Sequence, residues 1–155
     1  MKIRYIFLAS IMLAILSCKK DGAGGITLKI KSVSSDVVPV GSDLQVILDF
    51  TDNSGHPIDT VYFQKVRLNQ RPLAPDNVKI DTFWFSAPSY AGNSKGELQL
   101  DLDYENILKD AVNPYPIDST HFESDSLKLR FAIQDNANHK SDTVSTGLIV
   151  IQRVQ

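Results

Sequence analysis

Leu127-Lys128-Leu129-Arg130-Phe131-Ala132-Ile133-Gln134 sets the fold class of this chain. Apolar side chains recur at 127, 129, 131 and 133 and alternate with Lys128 and Arg130, and Gln134 follows the last of them. Successive side chains of an extended strand point to opposite faces, so a period of two buries one face and wets the other. The same alternation runs through Ile26, Leu28 and Ile30, then through Leu44, Val46, Leu48 and Phe50, and again through Leu98, Leu100 and Leu102. Val61, Phe63, Val66 and Leu68 mark a further strand whose phase slips midway, which predicts a bulge. Val78 to Phe85 forms another and carries Phe83-Trp84-Phe85. Thr143 to Gln152 reads as one continuous final strand, with Leu148-Ile149-Val150-Ile151 covered on both sides.

Between these runs lies turn chemistry: Pro39-Val40-Gly41-Ser42, Asn53-Ser54-Gly55-His56-Pro57, the 71–77 segment with its two prolines, and Ala91-Gly92-Asn93-Ser94. About seven short strands separated by such turns imply an all-β, antiparallel two-sheet sandwich. Tyr104 to Ser126 departs from the pattern. It is long, contains Pro114 and Pro116, and has room for a helical turn or two around Asn106 to Val112.

The chain has 155 residues, a formal net charge of −2 and one cysteine, Cys18. The charge gives no clustered basic face for nucleic acid. Lys2 and Arg4 precede an apolar run from Tyr5 to Leu16, and the small Ser17 precedes Cys18. A charged start, a brief apolar run and a small residue at the cut describe a cleaved signal peptide. The run falls short of the roughly 20 residues that a membrane-spanning helix needs. With Cys18 as its single cysteine, the chain can form no internal disulfide, and packing must hold the domain.

Ile15-Leu16-Ser17-Cys18 resembles the lipobox of bacterial lipoproteins, in which the cysteine is acylated and becomes the first mature residue. Lys19-Lys20-Asp21 resembles the Cys-Lys-Lys-Asp starts of Bacteroidota lipoproteins. The resemblance implies a signal peptide over 1–17, a lipidated cysteine with a flexible tether over 18–25, and a domain over 26–155. It also implies attachment to the outer membrane, on its periplasmic side or at the cell surface. Each buried CH₂ of an acyl chain contributes about 0.8 kcal/mol, so two or three chains hold a domain on a membrane durably. Farther on, Asp135-Asn136-Ala137-Asn138-His139, between Phe131-Ala132-Ile133-Gln134 and Asp142-Thr143-Val144, resembles the last hairpin of bacterial immunoglobulin-like and cadherin-like domains. Those often read Asp-x-Ala-Gly-Asn; here Asn138 and His139 stand in the last two places. The resemblance implies an immunoglobulin-like sandwich.

No nucleophile, P-loop, zinc-protease or dinucleotide pattern is present. His56, His121 and His139 all fall in predicted loops, where solvated histidine is the ordinary reading. Asp52-Asn53-Ser54-Gly55-His56 and Asp135-Asn136-Ala137-Asn138-His139 share the frame Asp-Asn-x-x-His. In immunoglobulin strand order both frames lie at one end of the sandwich. The preferred reading is two tight turns in which Asp and Asn cap their own backbone and Gly55 or Asn138 takes a positive φ. The alternative is that Asp52, His56, Asp135 and His139 meet at a cation, calcium for oxygen ligands or zinc for imidazole. No cofactor is expected.

Trp84, with Tyr62 and loop tyrosines, offers a sugar-stacking surface, while Phe83 and Phe85 face a core. Strand A begins at the end of the sandwich that carries the two Asp-Asn-x-x-His loops. A seven-residue tether reaches at most about 25 Å, so the opposite end, with 104–126, points away from the membrane. Tyr104, Tyr115 and Phe122 in that segment are the expected partner-binding residues, because loops this long are more often functional than filler. The leading expectation is a non-enzymatic envelope module that binds another protein or serves as an accessory subunit. A carbohydrate- or ligand-binding module is the alternative. An enzyme would need a pocket joining a histidine to a carboxylate.

Overall fold

The computed structural model describes residues 25–69, 71, 80–88, 90–92, 94–111 and 113–153. The expected signal peptide, Cys18 and most of the tether lie outside them. Among the described residues, nine strands run in the order β1 (Ile26–Val33), β2 (Val37–Val38), β3 (Leu44–Asp52), β4 (Ile58–Arg67), β5 (Ile80–Ser86), β6 (Lys95–Leu102), β7 (Asp125–Asp135), β8 (Val144–Ser145) and β9 (Ile149–Ile151). One sheet has the order β1-β3-β6. The other has the order β2-β9-β7-β4-β5, with β8 also paired to β7. All pairings are antiparallel except β2 with β9.

The predicted alternation is what closes the core. Ile26 and Leu28 of β1, Leu44 to Phe50 at every second residue of β3, and Leu98 and Leu102 of β6 face inward from the first sheet. Val61 and Phe63, then Leu127, Leu129, Phe131 and Ile133, and Ile149 and Ile151 meet them from the second. Cross-strand register then lines up side chains in rows. Phe83, Phe63 and Phe131 lie side by side on β5, β4 and β7, their rings stacked at 5.3 and 5.4 Å. The fold is therefore an all-β, two-sheet sandwich, as the alternation predicts.

Several expectations are corrected. The β4 phase does not slip at Val66. Lys65 and Arg67 continue the inward series, and Val66 and Leu68 lie off it, Leu68 exposed. The irregularity falls instead near the start of the strand, between Ile58 and Thr60. The final strand is split into β8 and β9, and Leu148 is exposed rather than covered. Thr146 causes the break: its Oγ1 accepts the Leu129 N–H at 3.1 Å, replacing a ladder bond by a side chain. Ser141 does the same for the Ile133 N–H. The Val37–Val38 strand was unforeseen, and it places Val38 in the core beside Ile151. The helical turn occupies Tyr104–Leu108, earlier than Asn106 to Val112, and is a single π-helical turn capped by Asp103.

Inward positions become charged toward the far end of the second sheet. Arg67 of β4, Asp125 of β7 and Arg153 after β9 are all buried. Arg153 Nε lies 2.6 Å from Asp125 Oδ2, and Arg67 Nη2 lies 3.7 Å from Asp125 Oδ1. Arg67 also meets Asp110 at 3.4 Å, and Arg153 Nη2 donates to the Asp110 carbonyl at 2.8 Å. Lys65 Nζ pairs with Asp81 and donates to the carbonyl of Ile107. A buried charge without a partner is costly. These contacts therefore bolt the helical turn and the segment after it onto the second sheet, and that defines the far end of the domain.

Candidate functional site

The two Asp-Asn-x-x-His loops meet. Asp52 ends β3 and Asp135 ends β7, and both carboxylates are fully buried. Asp52 Oδ1 accepts the Ser54 N–H at 2.7 Å; Asp135 Oδ1 accepts the N–H groups of Ala137 at 2.9 Å and His139 at 2.8 Å. Gly55 has φ 82° and Asn138 φ 68°, so the predicted backbone caps and left-handed residues are both present. The Asn136 N–H donates to the Pro57 carbonyl at 3.0 Å and ties one loop to the other. The imidazoles of His56 and His139 stand with ring centres 5.6 Å apart. His139 Nδ1 lies 2.8 Å from Asp135 Oδ2.

Burial alone would raise the Asp135 pKa. The bonds from His139, with others from Ser54 and Ala137, outweigh it and hold the carboxyl below its ordinary value. Among the described residues, Asp52 Oδ2 is buried with no hydrogen-bond partner. Gly92 packs against the backbone of Gly55 and His56; an added Cβ there would come within 2.4 Å of it, so only glycine fits. Among the described residues, no three histidine, cysteine, aspartate or glutamate side chains are grouped so as to enclose a metal ion. The four candidates are thus gathered at one end, with the carboxylates turned to the backbone and the imidazoles turned to each other. The Gly25 carbonyl accepts the Asn53 N–H at 3.0 Å, so the chain enters β1 beside these loops.

The opposite end carries a pocket of about 750 Å³ lined by Val40, Ile117, Asp118, His121, Phe122, Ser124, Gln152 and Arg153. Its outer wall is a small hairpin. Pro116 bridges Phe122, the Ile117 N–H donates to His121, and the Glu123 N–H donates to Tyr115. Ile117 is 67% exposed at the lip and Val40 is 44% exposed facing the same space. Tyr115 is also exposed, with the Arg71 guanidinium 5.3 Å from its ring centre. Tyr104 corrects the expectation of partner contact: it is 1% exposed, and its hydroxyl donates to the Gln152 carbonyl at 2.6 Å. Burial pushes its phenol pKa up. Of the three expected partner residues, Tyr115 and Phe122 reach the surface or the pocket and Tyr104 is core.

This pocket does join a histidine to a carboxylate. His121 Nδ1 lies 2.6 Å from Asp118 Oδ2. The Thr120 and His121 N–H groups and the His121 ring hold the Asp118 carboxyl well below the usual carboxylate range. The Thr120 hydroxyl, however, addresses the same ring nitrogen at 3.0 Å. A nucleophile relay needs its hydroxyl on Nε2, with the carboxylate on Nδ1. The cluster is built as a turn cap with an exposed ring, and no relay is assembled.

Trp84 stands on the outer face of edge strand β5, 70% exposed, in register with Tyr62. The Tyr62 ring is already covered by the Lys140 ammonium at 4.3 Å, and its hydroxyl donates to Gln134 at 3.0 Å. Tyr90 packs edge-on against Phe50. Among the described residues, a stacking surface here therefore consists of Trp84 alone. Neither the buried charge cluster nor the pocket was foreseen. Lys65, Arg67 and Asp125 in phase with inward apolar residues were the available signal for the first.

No family model matches the sequence, and no curated protein matches it. Among solved structures the chain is similar to a β-glucosidase from Listeria innocua in complex with glucose, at 9% identity and a TM-score of 0.41. The match covers 83% of this chain and 16% of that one. It is also similar to Spo0M, a sporulation control protein from Bacillus subtilis, at 7% identity and a TM-score of 0.44, covering 84% of this chain and 51% of that one. A β-glucosidase from Kluyveromyces marxianus gives 10% identity and a TM-score of 0.40, covering 83% of this chain and 15% of that one. The chain spans about half or less of each of these proteins, and the likeness carries no functional argument.

Proposed function

We propose that the protein is a lipid-anchored lipoprotein of the bacterial outer membrane whose sandwich captures a protein partner, without catalysing a reaction. The pocket at the far end carries this reading: an apolar lip of Val40 and Ile117 around Phe122, on the opposite side of the domain from the entry of the chain into β1. Acylation of Cys18 fastens the near end to the membrane, and a tether of at most about 25 Å leaves the pocket facing outward. The strand order β1-β3-β6 against β2-β9-β7-β4-β5 supports an immunoglobulin-like type within the sandwich class. Such a scaffold holds loops on a rigid frame, which suits recognition.

An apolar side chain buried at an interface contributes on the order of 1.5–3 kcal/mol. The double substitution Val40→Asp and Ile117→Asp is therefore expected to weaken capture at least about tenfold while leaving thermal stability near wild type. The measurement is affinity capture from the native envelope, scored on the protein retained by the unaltered chain. Undiminished retention by the double variant contradicts the reading. A second reading, a carbohydrate-binding module, is favoured by the exposure of Trp84. A glycan array on which Trp84→Ala loses signal and the pocket variant keeps it would select that reading instead.

A further inference from the structure

The geometry of the two Asp-Asn-x-x-His loops points to a function separate from the far pocket: we propose that His56 and His139 together bind one divalent transition-metal ion of the zinc or copper class, with Asp135 as the positioning residue. Three observations carry this. The ring centres are 5.6 Å apart on neighbouring loops. With metal–nitrogen bonds of about 2.0–2.1 Å, two imidazoles sharing a tetrahedral ion have ring centres about 5 Å apart, close to the separation seen here.

Next, the Nδ1–H of His139 donates to Asp135 Oδ2 at 2.8 Å, which leaves Nε2 as the lone-pair nitrogen. A carboxylate behind a ligating imidazole fixes its tautomer and raises its basicity. Asp135 is itself immobilised by two backbone N–H groups, so the ring is held from a buried and doubly anchored base. Finally, the loops are already fastened to each other before any ion arrives. Asn136 bonds to Pro57, the Ser54 hydroxyl accepts the His56 N–H at 3.1 Å, and Gly92 braces the backbone at Gly55 and His56.

Both rings reach solvent, His139 with 43% of its side chain exposed, so an ion can enter without local unfolding. The buried Asp135 carboxylate lies directly behind the His139 ring, and a negative group there favours a dication over a neutral ligand. Imidazole nitrogens select zinc, copper or nickel over calcium and magnesium, which prefer oxygen. Two protein ligands leave positions for water or for a group from a partner, as in open rather than closed metal sites.

The test is titration of the full chain with zinc chloride, followed by calorimetry and by imidazole NMR signals, with calcium chloride as the comparison ion. One zinc ion per chain is expected, with the ring signals of His56 and His139 moving and those of His121 staying. His56→Ala and His139→Ala should each weaken binding at least tenfold, with circular dichroism unchanged. Asp135→Asn should weaken it by about 10- to 100-fold and should shift the His139 ring tautomer in ¹⁵N spectra, which a purely structural role would not do. The proposal is overturned if the His56→Ala/His139→Ala double variant binds zinc like wild type, if no ring signal moves, or if calcium displaces zinc at equal concentration.

Discussion

Asp135 shows how one side chain can set a loop, a charge and a ring at once. Its Oδ1 closes the turn through the Ala137 and His139 N–H groups, and its Oδ2 takes the His139 ring. Its folded pKa lies below the ordinary value near 3.8. A depressed carboxylate contributes stability above its unfolded pKa and loses it as pH falls through the folded value. Asp135→Asn keeps an acceptor for the backbone but loses the charge, and is expected to cost about 1–3 kcal/mol at neutral pH. Thermal denaturation of both proteins should show this gap closing below about pH 4. A gap that stays constant from pH 7 to pH 2 contradicts the role given to its charge. The shared frame Asp-Asn-x-x-His made this pairing legible in the sequence, because turn chemistry and strand order both follow from residue type. The tilt of the two rings was not legible, since it depends on how the loops bond to each other.

At the scale of elements, the buried ion cluster joins β4, β7, the segment after β9 and the segment that follows the helical turn. Asp125 sits between Arg67 and Arg153, and burial holds its carboxyl pKa above the ordinary value although the two arginines pull it down. Removing the anion takes away the carboxylate that lies 2.6 Å from Arg153 and 3.7 Å from Arg67 and leaves both buried cations less compensated. Asp125→Ala is therefore expected to lower stability by roughly 3–5 kcal/mol, read by chemical denaturation, and a loss below 1 kcal/mol would contradict the cluster as the fastening of that end. Strands with clean alternation, such as β3 and β7, were legible because one apolar residue in two leaves a single way to bury a face. The far half of β4 was not. Val66 and Leu68 look like the inward set, yet Lys65 and Arg67 occupy it, because partners elsewhere in the chain neutralise them. The split of the last strand was hidden for a similar reason: the Thr146 hydroxyl takes the Leu129 N–H in place of a ladder bond, and a strand pattern does not register such a substitution. Tyr104 looked like a loop aromatic and is core, since the helical turn folds it back under the sandwich.

For the whole molecule, the strand directions place the two histidine loops beside the entry of the chain and the apolar pocket at the other end. Under the proposed reading, that polarity would set the near end close to the leaflet and present the far end outward. It has consequence only if the chain is fastened at its start, so the lipid on Cys18 is the claim on which the functional reading turns. Mass spectrometry of the N-terminal peptide, from protein recovered in the membrane fraction of its native host, tests it most directly. The reading predicts a peptide that begins at Cys18 and carries the mass of two or three acyl chains. A peptide that still contains residues 1–17, or a Cys18 with a bare thiol, would contradict it.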